Sequence, residues 1–320
     1  MSAGGSSHIE TGSITLIDSS LTNVGVGIKS AWATNSSPTT AGSLVLENID
    51  LNNVPVAVQG PSGTLLAGSG GAVKIAAWAL GNAYTPGGPR RVSGPITPTP
   101  RPEWLLVNGR YYARSKPQYE SEPVSSFVSL RSFGARGDAA ADDTAALQSA
   151  IDSAVANNKI LFIDYGLYRV TSTIRIPPGA RIVGESYPVI LSAGGFFNDM
   201  NNPKPVVQVG QPGQAGYVEL SDFIVSTQGT QAGAICIEYN LASTGTPSGM
   251  WDVHVRIGGF TGTQQQVAQC PTTPGNPTVN PNCIVAFMAM HVTKGANGLL
   301  MENVWLWYVT HFQHVLSFQG

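Results

Sequence analysis

The sequence predicts an all-β fold, a right-handed parallel β-helix in which the chain winds through successive coils of short strands. The first observation behind this prediction is an internal repeat, because residues 12–28 align without a gap on residues 42–58. Repeats of this length are typical of solenoids, in which each repeat forms one coil. The second observation is the alternation of β-branched and polar residues within the repeat, which indicates strands and not helices.

The bulk composition suits stacked coils and argues against several kinds of partner. Charged residues make up only 11% of the 320-residue chain, whereas Gly is abundant, with 37 residues. A surface of this kind suits neutral sugars. The net charge of -2 argues against nucleic acid and anionic membranes, since both attract basic patches. No apolar run approaches the roughly 20 residues that a membrane span needs. We expect no cofactor, and no Cys–His spacing suggests a metal site.

The amino-terminal part is expected to form the last coils of a first β-helix, over residues 1–85. Because a solenoid that starts in mid-coil leaves an open β edge, we expect Met1 to be an internal methionine of a longer protein. No apolar signal core precedes the repeat, although we expect the full-length protein to be secreted. Asn35 begins an acceptor sequence for N-glycosylation. Asn23 and Asn53 share one position in the two repeats and are expected to stack at a turn, bonded to the backbone and not to a ligand.

A change in composition predicts a linker over residues 86–125, which begins with a Pro-rich stretch. A second β-helix, with its amino-terminal cap and early coils, is expected over residues 126–320. Its single clear helix is predicted over residues 142–155, with Asp142 or Asp143 as the N-cap. We expect this helix to cover the amino-terminal end of the core and its β edge.

Two of the three cysteines are predicted to form a disulfide. Cys270 and Cys283 flank a loop rich in Pro, Asn and Thr, and a bond that closes such a loop is typical of secreted proteins. Two free thiols are the alternative. Cys236 lies in an apolar run and is expected to be buried.

The densest polar and aromatic run contains Trp251, Asp252, His254 and Arg256, which are candidate substrate-binding residues. Alternation along a strand would place Trp251 on one face and the other three on the opposite face. A carboxylate, an imidazole and a guanidinium on one face could bind sugar hydroxyls. They could equally form a structural cluster of ion pairs and hydrogen bonds.

Several carboxylates are candidates for acid–base chemistry, and each has a structural alternative. Asp138, Asp142 and Asp143 could form a pair of catalytic carboxylates, although helix capping and turn formation account for them better. Glu185, at a coil turn, and Glu219, on a strand, are the other possible acids.

Two groups of sequence strings resemble known families. The sequence FGARGD at 133–138, followed by DDTAALQ at 142–148, resembles the opening of pectate-lyase-like β-helices. Lyases, hydrolases and phage tailspikes share this signature, so it indicates a fold and no reaction. Longer strings resemble glycoside hydrolase family 55, the exo-β-1,3-glucanases known mostly from fungi: KPQY at 116–119, IVGE at 182–185, NPKPVVQVG at 202–210, GMWDVHVRIGG at 249–259 and QVAQC at 266–270. The resemblance extends from residue 1 to Trp307.

This resemblance implies two tandem β-helices with an active site in the cleft between them, and hydrolysis of β-1,3-glucan from the non-reducing end with inversion. Inversion requires a general acid and an activated water, held by groups about 6.5–9.5 Å apart. The family's acid is a glutamate in later coils, past the last residue of this chain. The resemblance therefore assigns no catalytic residue here and implies an inactive fragment. Trp307 aligns with a family tryptophan beside the glucose pocket, where an indole face can stack on a sugar.

The runner-up interpretation is a non-catalytic β-glucan-binding or structural β-helix protein. A polysaccharide lyase or pectin hydrolase fits less well, because neither a calcium-binding carboxylate cluster nor basic residues for acidic sugars are visible. Residues 308–320, which include His311 and His314, match nothing in the family. The expected partner is β-1,3-glucan polysaccharide, and we expect the full-length protein to be a monomer.

Overall fold

The fold was obtained as a computed structural model. The residues that it describes are 2–3, 13–32, 42–271, 278 and 280–308. The candidate glycosylation site Asn35 lies outside these residues, as do His311 and His314. The chain divides into two compact units, Met1–Ala113 and Arg114–Gly320.

Two stacked coils form the first part of the first unit. The strands of the unit, within its described residues, are β1 (Ser2–Ala3), β2 (Ser13–Ile17), β3 (Ser20–Thr22), β4 (Val26–Ser30), β5 (Ser43–Gly60), β6 (Gly63–Thr85), β7 (Gly88–Pro95), β8 (Leu106–Val107) and β9 (Arg110–Tyr111). Strands β2, β3 and β4 each pair in parallel with β5. Ser13 lies opposite Ser43, and Leu21 lies opposite Leu51. These partners are the equivalent residues of the sequence repeat, so the structure confirms that each repeat is one coil.

The rest of the first unit departs from the parallel pattern. Strand β6 runs antiparallel to β5, and β7 runs antiparallel to β6. Residues 63–85 therefore do not add a further parallel coil, and residues 88–95 form a strand where the composition predicts a linker. The cause is two tight turns, because only Pro61 and Ser62 join β5 to β6 and only Pro86 and Gly87 join β6 to β7. Pro and Gly favour such turns as much as they favour linkers.

The paired asparagines of the repeat stack as predicted, although the bond between them joins two side chains and not a side chain and the backbone. Asn23 and Asn53 both have left-handed backbone angles, with φ of 56° and 54°, a conformation that Asn tolerates better than most residues. Their side chains bond to each other, since the Asn53 amide nitrogen donates to Asn23 Oδ1 at 3.0 Å. The core of this unit includes Leu44, Leu46 and Trp78.

The second unit contains one α-helix, α1 (Thr144–Ala156), among its described residues. Its strands are β10 (Phe127–Ser129), β11 (Asp138–Asp142), β12 (Ile160–Ile163), β13 (Leu167–Val170), β14 (Ile174–Ile176), β15 (Arg181–Gly184), β16 (Val189–Ser192), β17 (Lys204–Val209), β18 (Glu219–Ser221), β19 (Ile224–Thr227), β20 (Ala234–Tyr239), β21 (Ser248–Trp251), β22 (His254–Ile257), β23 (Met288–Val292), β24 (Leu299–Glu302) and β25 (Leu306–Tyr308). Short 3-10 helices are Glu103–Leu105 in the first unit and Val124–Ser126, Leu130–Phe133, Gly195–Phe197 and Pro281–Cys283 in the second.

These strands form three parallel sheets, which are the three faces of a parallel β-helix. The first sheet has the order β10-β12-β15-β18-β21-β24, the second β11-β13-β16-β19-β22-β25 and the third β14-β17-β20-β23. Side chains in register stack along the core, as Ile182, Leu220 and Met250 do in the first sheet. The predicted fold class is therefore confirmed for the second unit.

Helix α1 covers the start of this core. It buries Leu147 and Ile151 and contacts β10, β12, β13 and β14. The helix begins two residues later than predicted, with Asp143 at the N-cap position. The Asp143 side chain makes no capping hydrogen bond to the helix. Its carboxylate accepts hydrogen bonds from the backbone N–H groups of Arg136 and Gly137, at 2.7 and 2.9 Å. Asp142 accepts one from Thr144 at 3.0 Å. Both carboxylates are thus structural.

No described helix is long and apolar enough to cross a membrane.

Candidate functional site

A column of polar residues lies at the corner between the first and second sheets of the second unit. Asp222, Asp252 and Asn303 follow β18, β21 and β24 and have left-handed φ angles of 63°, 55° and 53°. Asn303 donates a hydrogen bond to Asp252. The Lys116 ammonium pairs with Asp222 and also with Asp252, the latter at 2.9 Å. The Asp252 carboxylate is therefore engaged in structural contacts, which favours the structural interpretation of this residue over sugar binding.

Trp251 is buried and is not a surface platform for a sugar. Only 1% of the residue is exposed, its indole N–H donates to the Arg114 carbonyl at 3.2 Å, and the Arg114 guanidinium lies 5.4 Å from the ring centroid. The prediction that Trp251 binds substrate is wrong. The predicted alternation itself holds, because Trp251, Val253 and Val255 are buried whereas Asp252, His254 and Arg256 are partly exposed. Trp251 therefore lies on the buried face of the strand.

Residues 114–119, which we call the strap, also bind the Glu219 carboxylate. Arg114 forms an ion pair with Glu219, and the Tyr119 hydroxyl donates to the same carboxylate at 2.6 Å. Burial next to this carboxylate raises the pKa of Tyr119, so the phenol stays protonated. The Glu185 carboxylate also makes a structural contact, because it accepts a hydrogen bond from the Tyr165 backbone N–H at 3.1 Å. These contacts argue against either glutamate as a catalytic acid.

A groove with aromatic walls lies on the outer face of the second sheet. We call it the aromatic groove, and its volume is about 340 Å³. Its lining residues are Tyr187, Ile224, His254, Val255, Arg256, Asn303, Trp305 and Trp307. The structure thus brings together three of the predicted binding residues, His254, Arg256 and Trp307. Sequence reasoning missed Tyr187, Asn303 and Trp305.

The rings in the groove form a continuous series. His254 stacks on Tyr187, with centroids 5.2 Å apart and planes 22° from parallel. His254 also contacts Trp305, with centroids 5.8 Å apart and planes tilted by 49°, and Trp305 meets Trp307 edge to face at 6.3 Å. The Trp307 residue is 47% exposed, so part of its ring is free to contact a ligand.

Arg256 is held between two rings. It lies opposite Trp307 in the pairing of β22 with β25, and its guanidinium is 5.1 Å from the Trp307 ring and 5.0 Å from the Phe260 ring. Cation–π contacts of this kind fix the side chain in place. Its buried Nε–H has no hydrogen-bond partner within the described residues.

His254 connects two coils through its ring. Its Nδ1 accepts a hydrogen bond from the Trp305 backbone N–H at 3.2 Å. Burial lowers the pKa of the imidazole, and the nearby Asp252 and Asp222 carboxylates partly oppose this effect. The neutral ring therefore predominates at neutral pH, in keeping with an Nδ1 that accepts and an Nε2 that carries the proton.

The chemistry of the groove suits binding of a neutral sugar. Exposed indole and phenol faces can stack on the apolar face of a pyranose, while Arg256, Asn303 and His254 offer hydrogen-bonding groups. No carboxylate is among the lining residues that the structure describes, so these residues supply no general acid or base pair. Nor do the described His, Cys, Asp and Glu side chains form a group of three or more that could hold a metal ion.

The loop after β22 is closed by a disulfide. Cys270 and Cys283 are bonded, with Cα atoms 5.7 Å apart, which is the pairing expected from the sequence. Cys236 is buried in the core as predicted, and burial raises the pKa of its thiol to about 12. It is therefore an unreactive core residue.

Comparison with known proteins agrees with the fold. The family described as rhamnogalacturonase A/epimerase, pectate lyase-like, matches residues 127–273, which contain most of the coils of the second unit.

Fungal relatives match almost the whole chain. A glucan 1,3-β-glucosidase from Cochliobolus carbonum is 49% identical over 97% of this chain and 39% of its own length. A probable glucan endo-1,3-β-glucosidase from Arthroderma benhamiae is 33% identical over 97% of this chain and 46% of its own length. A Penicillium expansum protein named non-secreted LysM effector LysM19 is 34% identical over 92% of this chain and 24% of its own length. The chain spans less than half the length of these relatives.

Proposed function

We propose that this chain, which is related by sequence to fungal glucan 1,3-β-glucosidases over nearly all of its length, forms part of an enzyme that hydrolyses β-1,3-glucan. The observation that carries the proposal is the aromatic groove, in which Trp305 and Trp307 lie beside hydrogen-bonding groups. The sequence resemblance further supports attack from the non-reducing end with inversion of the anomeric configuration.

In this proposal the described residues bind the sugar and do not perform the chemistry. The exposed part of the Trp307 ring stacks on a glucose unit, and Arg256 and Asn303 contact its hydroxyls. Inversion needs a general acid and a base for the attacking water, and the described lining of the groove holds neither. In this proposal the catalytic carboxylates lie outside the described lining of the groove.

The proposal is tested by calorimetric titration of the 320-residue chain with a β-1,3-gluco-oligosaccharide. Replacing Trp307 with Ala should weaken binding by about tenfold, as expected for the loss of one well-packed aromatic contact. The matched control is Trp104→Ala, because Trp104 is 82% exposed, belongs to the first unit and does not line the groove. A β-1,4-linked oligosaccharide should bind more weakly. Equal affinity of the Trp307→Ala variant and the unaltered chain would contradict the proposal.

We further propose that the full-length protein is extracellular and monomeric. The Cys270–Cys283 disulfide supports the location, because disulfides persist mainly in oxidising compartments. Intact mass and light scattering of the native protein recovered from culture medium test both statements. Recovery only from the cell interior would contradict the location, and a mass in solution twice the intact mass of the native polypeptide would contradict the monomer.

A further inference from the structure

We propose that His254 is a positioning residue, whose neutral ring holds Trp305 and so keeps the aromatic groove in its sugar-binding arrangement. This inference rests on the proposed function, because it concerns regulation of the same groove. It adds that affinity for the sugar falls when the ring takes up a second proton.

The contacts of the ring give it control over two walls of the groove. One face of His254 stacks on Tyr187, from the turn before β16, at 5.2 Å between centroids. The Nδ1 atom accepts the Trp305 N–H at 3.2 Å, so it fixes the backbone directly before β25. Trp305 in turn packs against Trp307 at 6.3 Å and donates its indole N–H to Asn303 at 3.0 Å. A change at His254 is therefore transmitted to four other lining residues.

Protonation removes this control. A neutral imidazole has one acceptor nitrogen, whereas an imidazolium carries a hydrogen on both nitrogens and accepts no hydrogen bond. Protonated Nδ1 would face the Trp305 N–H donor to donor, so the bond between the two coils breaks. Loss of one such bond corresponds to about a fivefold change in an equilibrium constant, and we expect affinity for the sugar to fall by at least that factor.

The charged groups around the His254 ring determine the pH at which it is protonated. Asp222 and Asp252 face it from the corner, the Lys116 ammonium on the strap pairs with both of them, and Arg256 lies on the same strand. Tyr187 is the remaining titratable neighbour, and burial raises its pKa, so it stays neutral. Because Lys116 offsets the two carboxylates that favour the charged ring, removal of its ammonium should move the transition to higher pH.

The first experiment needs no variant. NMR spectra of the 320-residue chain across pH 5–8 would follow the His254 ring carbons and the Trp305 backbone amide in the absence of sugar. We expect both signals to shift with one midpoint. A Trp305 amide that stays unchanged while His254 titrates would overturn the proposal.

The second experiment measures oligosaccharide affinity over the same pH range. Lys116→Met should move the midpoint of the loss of binding to higher pH. The control is Lys74→Met, which removes a lysine that pairs with Asp50 in the first unit and should leave that midpoint unchanged. His254→Asn, which puts an amide oxygen near the position of Nδ1, should bind with little pH dependence. His291→Asn is the matched control, because His291 pairs with Glu238 on the third sheet, and it should keep the dependence of the unaltered chain.

The two proposals can fail separately. Coupled titration of His254 and Trp305 without sugar binding at any pH would support the positioning role and contradict the proposed function. Sugar binding that is independent of pH, together with a titrating His254, would contradict the positioning role alone.

Discussion

Single asparagine and aspartate residues hold the corners of the coils in both units. In the first unit Asp18 and Asn48 stack much as Asn23 and Asn53 do, each with positive φ. The left-handed conformation costs most residues about 1–2 kcal/mol, whereas the short polar side chain of Asn bonds locally and lowers that cost. These residues explain both a success and a failure of sequence reasoning. The equivalent asparagines of the repeat were predictable, but the corner at Asp252 was not.

We expect replacement of Asn53 by Ala to destabilise the first unit by about 1–2 kcal/mol, from backbone strain and the lost bond to Asn23. Replacement by Gly should cost less than about 1 kcal/mol, because Gly adopts positive φ freely and loses only the bond. Urea-induced unfolding measures the two variants, and hydrogen exchange of the β5 amides assigns the change to this unit. Equal destabilisation by Ala and Gly would show that the backbone angle is not the cause.

At the scale of elements, the sequence predicts parallel strands well and hairpins poorly. The register of β2, β3 and β4 on β5 follows from the repeat, since each residue pairs with its equivalent in the next coil. The hairpins β5–β6 and β6–β7 do not follow, because Pro and Gly favour a two-residue turn as much as they favour a linker. The contacts of the strap do not follow from the sequence either. Its contacts with Glu219, Asp222 and Trp251 join positions more than 100 residues apart in sequence.

Strand β21 depends on a glycine beside its buried tryptophan. A Cβ atom on Gly249 would overlap the ring of Trp251, which the strap holds in place. We expect Gly249→Ala to destabilise the second unit by about 1–3 kcal/mol, as overpacking of a rigid site does, and to change tryptophan fluorescence. The control is Gly295→Ala, where a Cβ meets no atom within 4 Å. A similar effect of the two substitutions on urea-induced unfolding would contradict the packing argument.

At the scale of the whole molecule, stacked coils assemble the groove from residues that are distant in sequence. Ile224 and His254 lie in register on neighbouring strands, as do Arg256 and Trp307, and Tyr187 reaches the groove from an earlier coil. The coils of the second unit differ in length, so equivalent positions such as Ile182, Leu220 and Met250 show no fixed spacing. Trp307 could be found because it aligns with a family position. Tyr187 gave no signal, because only the coil geometry places it beside His254.

Because this geometry assembles a binding surface without a carboxylate pair, we expect the 320-residue chain to bind β-1,3-gluco-oligosaccharides but release no glucose from them. The described groove residues are aromatic, amide, guanidinium, imidazole and aliphatic, so they lack the two carboxyl groups that serve as proton donor and water activator in inversion. Glucose release from laminarin over several hours measures this, with an active exo-β-1,3-glucanase as positive control. Turnover by the purified chain that disappears in the Trp307→Ala variant would contradict the prediction, because loss with that variant excludes a contaminating hydrolase.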